Sequence, residues 1–168
     1  MALEKPPQEY LFEPMKLEDL SNCVDVIVKA MGDPNINKDF VKQSIRDPNV
    51  VTLIARSREK IVGVIYGFVP YKLYSNQAPK IVFMGVENQE EAMKGLYGML
   101  IDEFINELKR RFPKVPCIDV SLASKDTNAV ALYSNRGFSV EGYIRDGVGG
   151  PDIVLLRKRF TTSEIEKA

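Results

Sequence analysis

Histidine is absent from the 168 residues of this chain. That removes Ser-His-Asp and Cys-His triads, imidazole general bases and the commonest zinc ligand together. Any catalysis falls to phenols, carboxylates, lysines, water or backbone groups. Among these, Tyr133 stands in a suggestive place: it closes the helical run of AVALYSNRGF, residues 129–138, just before the glycine stop at Gly137. Why a tyrosine sits just before that stop is the first question the sequence raises. Alone, this tyrosine reads as a half-buried packing aromatic. Cys23 and Cys117 have no partner at metal-ligand spacing, so they read as two buried free thiols and no metal is expected.

The elements that must hold these groups follow from periodicity. Residues 10–15, YLFEPM, form a short strand candidate. Leu17, Leu20, Val24, Ile27, Val28 and Met31 recur at helical spacing and stop at Gly32 and Pro34. A second helix is expected over residues 37–45, with Phe40, Val41 and Ile45 on one side and Pro48 ending it. VVTLIAR and IVGVIYGFV are β-branched runs joined by SREK, a hairpin in length and composition. KIVFMGVE adds a third strand to this antiparallel meander. The longest periodic stripe, Leu96, Leu100, Ile101, Phe104, Ile105 and Leu108, ends in KRR at a helix C-terminus before Pro113. CIDVSLAS is then a strand, DTNAVALYSNR a helix capped by Asp126, and FSVEGYIRD and DIVLLRKRF two closing strands. The order predicts an α/β (α+β) fold, with about four helices flanking a mixed sheet of about seven strands.

Bulk composition narrows the classes. The length suits one domain spanning residues 1–168, with its core over about 10–160. Hydrophobic residues make up 45% and charged residues 27%, with 23 basic against 23 acidic side chains. A net charge of zero provides no field to recruit nucleic acid or a membrane surface. The longest apolar runs fall short of the ~20 residues that span a bilayer, and MALEKPPQEY lacks a signal-peptide core. A cytoplasmic location is therefore expected.

The element order, together with AVALYSNRGF, EGY…GPDIVLL and LFEPMKLEDL, resembles the GNAT superfamily of N-acetyltransferases over about residues 10–160. The resemblance implies transfer of an acetyl group from acetyl-CoA, the co-substrate, to a primary amine of a small molecule or protein by direct attack. It also implies a sheet splayed between its fourth strand, residues 81–86, and its fifth, residues 118–123. The pantetheine arm of the co-substrate would then lie along strand four, on backbone at Met84 and Val86, and Tyr133 would protonate the departing thiolate. Similarity to the family's phosphate cradle, (Q/R)-x-x-G-x-(G/A), places Gly95 at the first glycine, with Lys94 and Gly98 as further contacts. It also puts Ala92 where a polar residue is expected and the bulky Tyr97 where a small one is. Glu87, Glu90 and Glu91 crowd the same loop; the latter two read as an acidic first turn. Asp126 stands where the family commonly has asparagine. For the base, the resemblance favours Glu87, acting through water, with Asp119 and Glu141 in reserve; each reads more readily as surface charge or a partner of Lys80 or Arg145. Tyr71, Tyr74 and Phe83 are candidates for the acceptor side, or for simple sheet packing. A homodimer is left open. The alternative, motivated by Ala92 and Tyr97, is a catalytically impaired acyl-CoA-binding or regulatory domain.

Overall fold

Among the described residues, seven extended runs supply the sheet, in the order β1-β2-β3-β4-β5-β7-β6. They are β1 (Leu11–Pro14), β2 (Val50–Ser57), β3 (Lys60–Phe68), β4 (Lys80–Val86), β5 (Cys117–Ala123), β6 (Ser139–Ile144) and β7 (Ile153–Arg159). The computed structural model describes residues 10–33, 35–70, 77–145 and 149–161. Tyr71 and Tyr74 lie outside the described residues. The helices are α1 (Leu20–Met31), α2 (Lys38–Arg46), α3 (Gln89–Met93), α4 (Leu96–Arg111) and α5 (Thr127–Ser134). A 3-10 turn at Leu17–Asp19 leads into α1. Every strand pair is antiparallel except β4–β5, which is parallel and therefore needs the α3–α4 crossover.

Two cores form, one on each face of the sheet. Leu96, Leu100, Ile101, Phe104 and Leu108 of α4 pack with Val62, Ile65, Val86 and Ile118 on one side. Cys23, Val24 and Ile27 of α1 and Val41 and Ile45 of α2 pack with Ile54, Val64 and Tyr66 on the other. β3 is thus buried on both faces, which is why its sequence is continuously apolar rather than alternating. Burial, then the charge of Asp19, pushes the Cys23 thiol up to about 12, so this cysteine is a packing residue.

The structure departs from the sequence reading in several places: Leu17 and Met31, expected on the inner stripe of the first helix, are exposed at its two ends, and Cys117, expected to be buried, is half-buried. The long helix expected from the stripe Leu96 to Leu108 is α4, but the stretch ENQEEAMKG before it, expected as a loop, holds the short helix α3. Asn88 caps α3 by accepting the Glu91 N–H at 3.0 Å, and Gly95, in the left-handed region at φ 82°, breaks the chain before α4. Phe40 does not share the inner face of α2: it is 68% exposed, because Val41 and Ile45 already occupy the inward positions.

Arg56 joins the first strand to the turn before α1. Its Nε donates to Glu13 at 2.6 Å and its Nη2 to Asp19, whose carboxylate also accepts the Lys16 N–H. Burial pushes the Asp19 carboxyl up, but its bond to Arg56, the Lys16 amide and the Arg56 charge together hold it below the usual carboxylate range. A depressed folded-state value means stability that is present above the unfolded value of about 3.9 and is lost as pH falls through the folded one. Thermal melts should therefore show a Tm that falls on acidification below about pH 4. Asp19→Asn should lower Tm at neutral pH and flatten that acid limb; parallel curves for the two proteins would remove Asp19 from the account.

Candidate active site

β4 and β5 begin side by side and then part. Their parallel register holds only at Lys80–Asp119 and Ile81–Val120, although β4 continues to Val86 and β5 to Ala123. A bulge contributes to the divergence: Ile81 pairs with Gly67 and Phe83 with Tyr66, so Val82 is the extra residue. Beyond the last pair, the β5-facing edge of β4 has no ladder partner. A cavity of about 550 Å³ occupies the gap. Residues 81–84 line one side, residues 120–122 the other, and the first turn of α4 and the inner face of α5 complete it. Its size falls within the ordinary range for a ligand cleft.

Tyr133 reaches this cavity through the way α5 ends. Asp126 starts the helix by accepting the Ala129 N–H at 3.0 Å. At the other end Gly137 adopts φ 83°, the Gly137 N–H donates to Ser134 O at 3.0 Å, and the Phe138 N–H donates to Tyr133 O at 3.2 Å. This is a Schellman motif, and its usual apolar contact is made here by two rings. Tyr133 and Phe138 meet edge-to-face with centroids 5.1 Å apart. The tyrosine therefore precedes the glycine stop because the stop itself fixes its ring. Tyr133 is 3% exposed and lines the cavity, and no group among the described residues hydrogen-bonds its hydroxyl. Burial pushes the phenol well above its ordinary value, so it stays protonated at neutral pH.

The first turn of α4 forms the far end of the cavity. Tyr97, which lines the cavity, carries an N–H group that no carbonyl of α4 can accept, at the positive end of the helix dipole. Gly95, Gly98, Met84, Ala92 and Asp126 all line the space. Tyr97 does not plug it: its half-buried ring packs on the α4 core and serves as a wall. Arg136, in the turn just beyond α5, also lines the cavity, and the sequence reading missed it. A basic residue at a helix end is explained by the helix dipole alone, which hid any other role.

Three of the candidate residues are not brought here. Val86 is buried in the α4 core. Lys94 pairs with Glu90 at 3.2 Å and Glu91 at 3.7 Å, and Glu91 also accepts the Tyr10 hydroxyl, so both acids of the α3 first turn are neutralised. Glu87 lines a separate cavity of about 480 Å³, where it meets Lys60 at 2.5 Å and Lys29 at 3.7 Å. The reserve acids are paired as well, though not with Lys80 or Arg145. Asp119 is gripped by both Nε and Nη2 of Arg157, at 2.7 and 2.8 Å, and Glu141 by Arg159. Phe83 lines the cleft and stacks on Tyr66 with centroids 5.6 Å apart. Among the described residues no three metal-ligating side chains cluster, and no helix is long and apolar enough to cross a membrane.

No family model and no curated protein matches the chain by sequence. Solved structures do match it by shape. A ribosomal-protein alanine N-acetyltransferase from Escherichia coli superposes with a TM-score of 0.75 at 16% identity, covering 91% of this chain and 95% of its own. A GNAT-family acetyltransferase from Streptococcus pneumoniae gives 0.71 at 18% identity, covering 90% and 100%. An aminoglycoside 6'-acetyltransferase of type Ii gives 0.73 at 13%, covering 89% and 96%. The chain has the GNAT fold, with the seven-stranded mixed sheet and the parallel, diverging β4–β5 pair that the sequence resemblance implied.

Proposed function

We propose that this protein is an N-acetyltransferase that uses acetyl-CoA as co-substrate and a primary amine as acceptor. The observation that carries the reading is Tyr133: a buried phenol with no hydrogen-bond partner among the described residues, facing a cleft between diverging strands. The residues present suit the co-substrate. The unpaired β4 edge offers N–H and C=O groups to the amides of a pantetheine arm, and the open amides of α4 offer donors to its phosphates. Acetyl-CoA supplies an activated acyl group on sulfur. Direct attack joins the amine nitrogen to the acetyl carbon and breaks the carbon–sulfur bond. The Tyr133 hydroxyl gives its proton to the departing sulfur. The proton shed by the amine passes to solvent, since the carboxylate of Glu87 is engaged by two lysines in a different cavity.

Calorimetry with acetyl-CoA, followed by thiol release in the presence of a panel of amines, tests this. Binding should be one-to-one and should stabilise the fold by about 2.7 kcal/mol at about a hundredfold excess over Kd. Absence of binding would sink the reading. Binding with no transfer to any amine would leave an acyl-CoA-binding domain instead.

A further inference from the structure

The cleft divides the sheet in two. β1 to β4 lie on one side of it, with α4 packed over β2, β3 and β4, and β5, β7 and β6 lie on the other. The backbone ladder joins these halves only at Lys80–Asp119 and Ile81–Val120. Apolar packing under α4 joins them as well, but such packing has no direction. Arg136 supplies a directed tie at the cleft itself. Its base belongs to the β7 half: Arg136 O accepts from the Lys158 ammonium at 2.7 Å, and Nη1 donates to Leu132 O of α5 at 3.2 Å. Its tip belongs to the other half: Nε donates to Gly98 O of α4 at 3.1 Å and lies 3.2 Å from the Asp102 carboxylate. The fit is close. A Cβ built on Gly98 would stand 1.7 Å from Nη2 and 2.4 Å from the central guanidinium carbon, so only glycine leaves room for the tip.

We propose that Arg136 is a positioning residue that sets the gape of the cleft and, through it, where the Tyr133 hydroxyl stands. The inference rests on the acetyltransferase reading above. Tyr133 and Arg136 share the turn that ends α5, where the Arg136 N–H donates to Tyr133 O at 2.9 Å. Movement of the guanidinium therefore reaches the backbone that carries the phenol. The hydroxyl has no partner among the described residues, so its place is set by the ring contact with Phe138 and by the turn that Arg136 anchors. A guanidinium suits this task because its rigid fork presents several donors at once, and one side chain can engage two carbonyls and a carboxylate.

Kinetics and a distance measurement on the full chain test this together. Arg136→Gln should lower kcat at saturating acetyl-CoA by about 10- to 100-fold, the scale of a displacement of about 1 Å at a reacting group. Acetyl-CoA affinity, by calorimetry, should change far less. Arg136→Lys should recover part of the loss, and Gly98→Ala should reproduce it, because its methyl group displaces the flexible end of Arg136 while alanine favours the helix. If Arg136 acts through Tyr133, then Arg136→Gln costs nothing further in a Tyr133→Phe background. Undiminished kcat, additive losses, or a loss carried by affinity instead of kcat would each overturn the proposal. Nitroxides at the exposed positions Met93 and Ala131, introduced as Met93→Cys and Ala131→Cys in a Cys117→Ser background, read the gape by pulsed EPR without any ligand. The distance distribution should broaden in Arg136→Gln and in Gly98→Ala, and an unchanged distribution would overturn the proposal whatever the kinetics. If the unaltered protein acetylates no amine, the parent reading falls, and this distance alone decides whether Arg136 sets the gape.

Discussion

Tyr133→Phe should lower kcat by about 10²- to 10⁴-fold, the usual worth of a positioned general acid, and leave acetyl-CoA affinity unchanged. The expectation is selective because of how the ring is held. Phenylalanine keeps the edge-to-face contact with Phe138 and the backbone bonds that close α5, so only the hydroxyl is lost. That hydroxyl has no partner among the described residues, so its removal strands no buried group there. The pH profile adds a second check. An acid must be protonated to act, so kcat falls as pH rises through its pKa. Burial raises the phenol, which puts the fall above the ordinary tyrosine value of about 10. A variant with undiminished kcat, measured by thiol release at saturating co-substrate, would end the assignment.

Phe104→Ala should cost about 3–5 kcal/mol of stability, as other buried Phe truncations do. Phe104 is 1% exposed at the centre of α4, and its ring lies so close to Gly67 of β3 that a Cβ there would sit 2.7 Å from it. The contact pins the helix whose first turn forms one end of the cleft, so a cavity at this point loosens the mount of the site as well as the core. Urea unfolding measures the loss directly. The control is Phe40→Ala, a ring that is 68% exposed and should cost no more than about 0.5 kcal/mol. Comparable losses for the two variants would contradict the packing described.

Both residues are phenylalanines in helical stretches, and local sequence did not separate them correctly. The stripe through Phe104 is long enough, from Leu96 to Leu108, for its phase to be unambiguous. α2 has nine residues, and a phase drawn from Phe40, Val41 and Ile45 leaves room for one of the three to point outward. Element order was legible because each strand is bounded by turn chemistry, as at SREK between β2 and β3. Gly95 was legible as the entry to the long helix, where it caps α4, but α3 was not, since its five residues are too few to show a period. The candidate site divides along the same line. Groups carried by local motifs, such as the Asp126 cap and the ring that Gly137 positions, reach the cleft. Those whose surroundings depend on distant partners, Glu87 with Lys29 and Lys60, and Arg136 with Gly98, could only be placed in three dimensions. No run of neighbouring letters encodes where a parallel ladder stops.

That stopping point has a mechanical consequence. With only two residue pairs in the parallel register between β4 and β5, the sheet is a pair of plates sewn together at one end. A pantetheine arm laid along the gap would add rungs where the protein has none. The loaded molecule would then be stitched across all seven strands, and the substrate would be part of what makes it stiff.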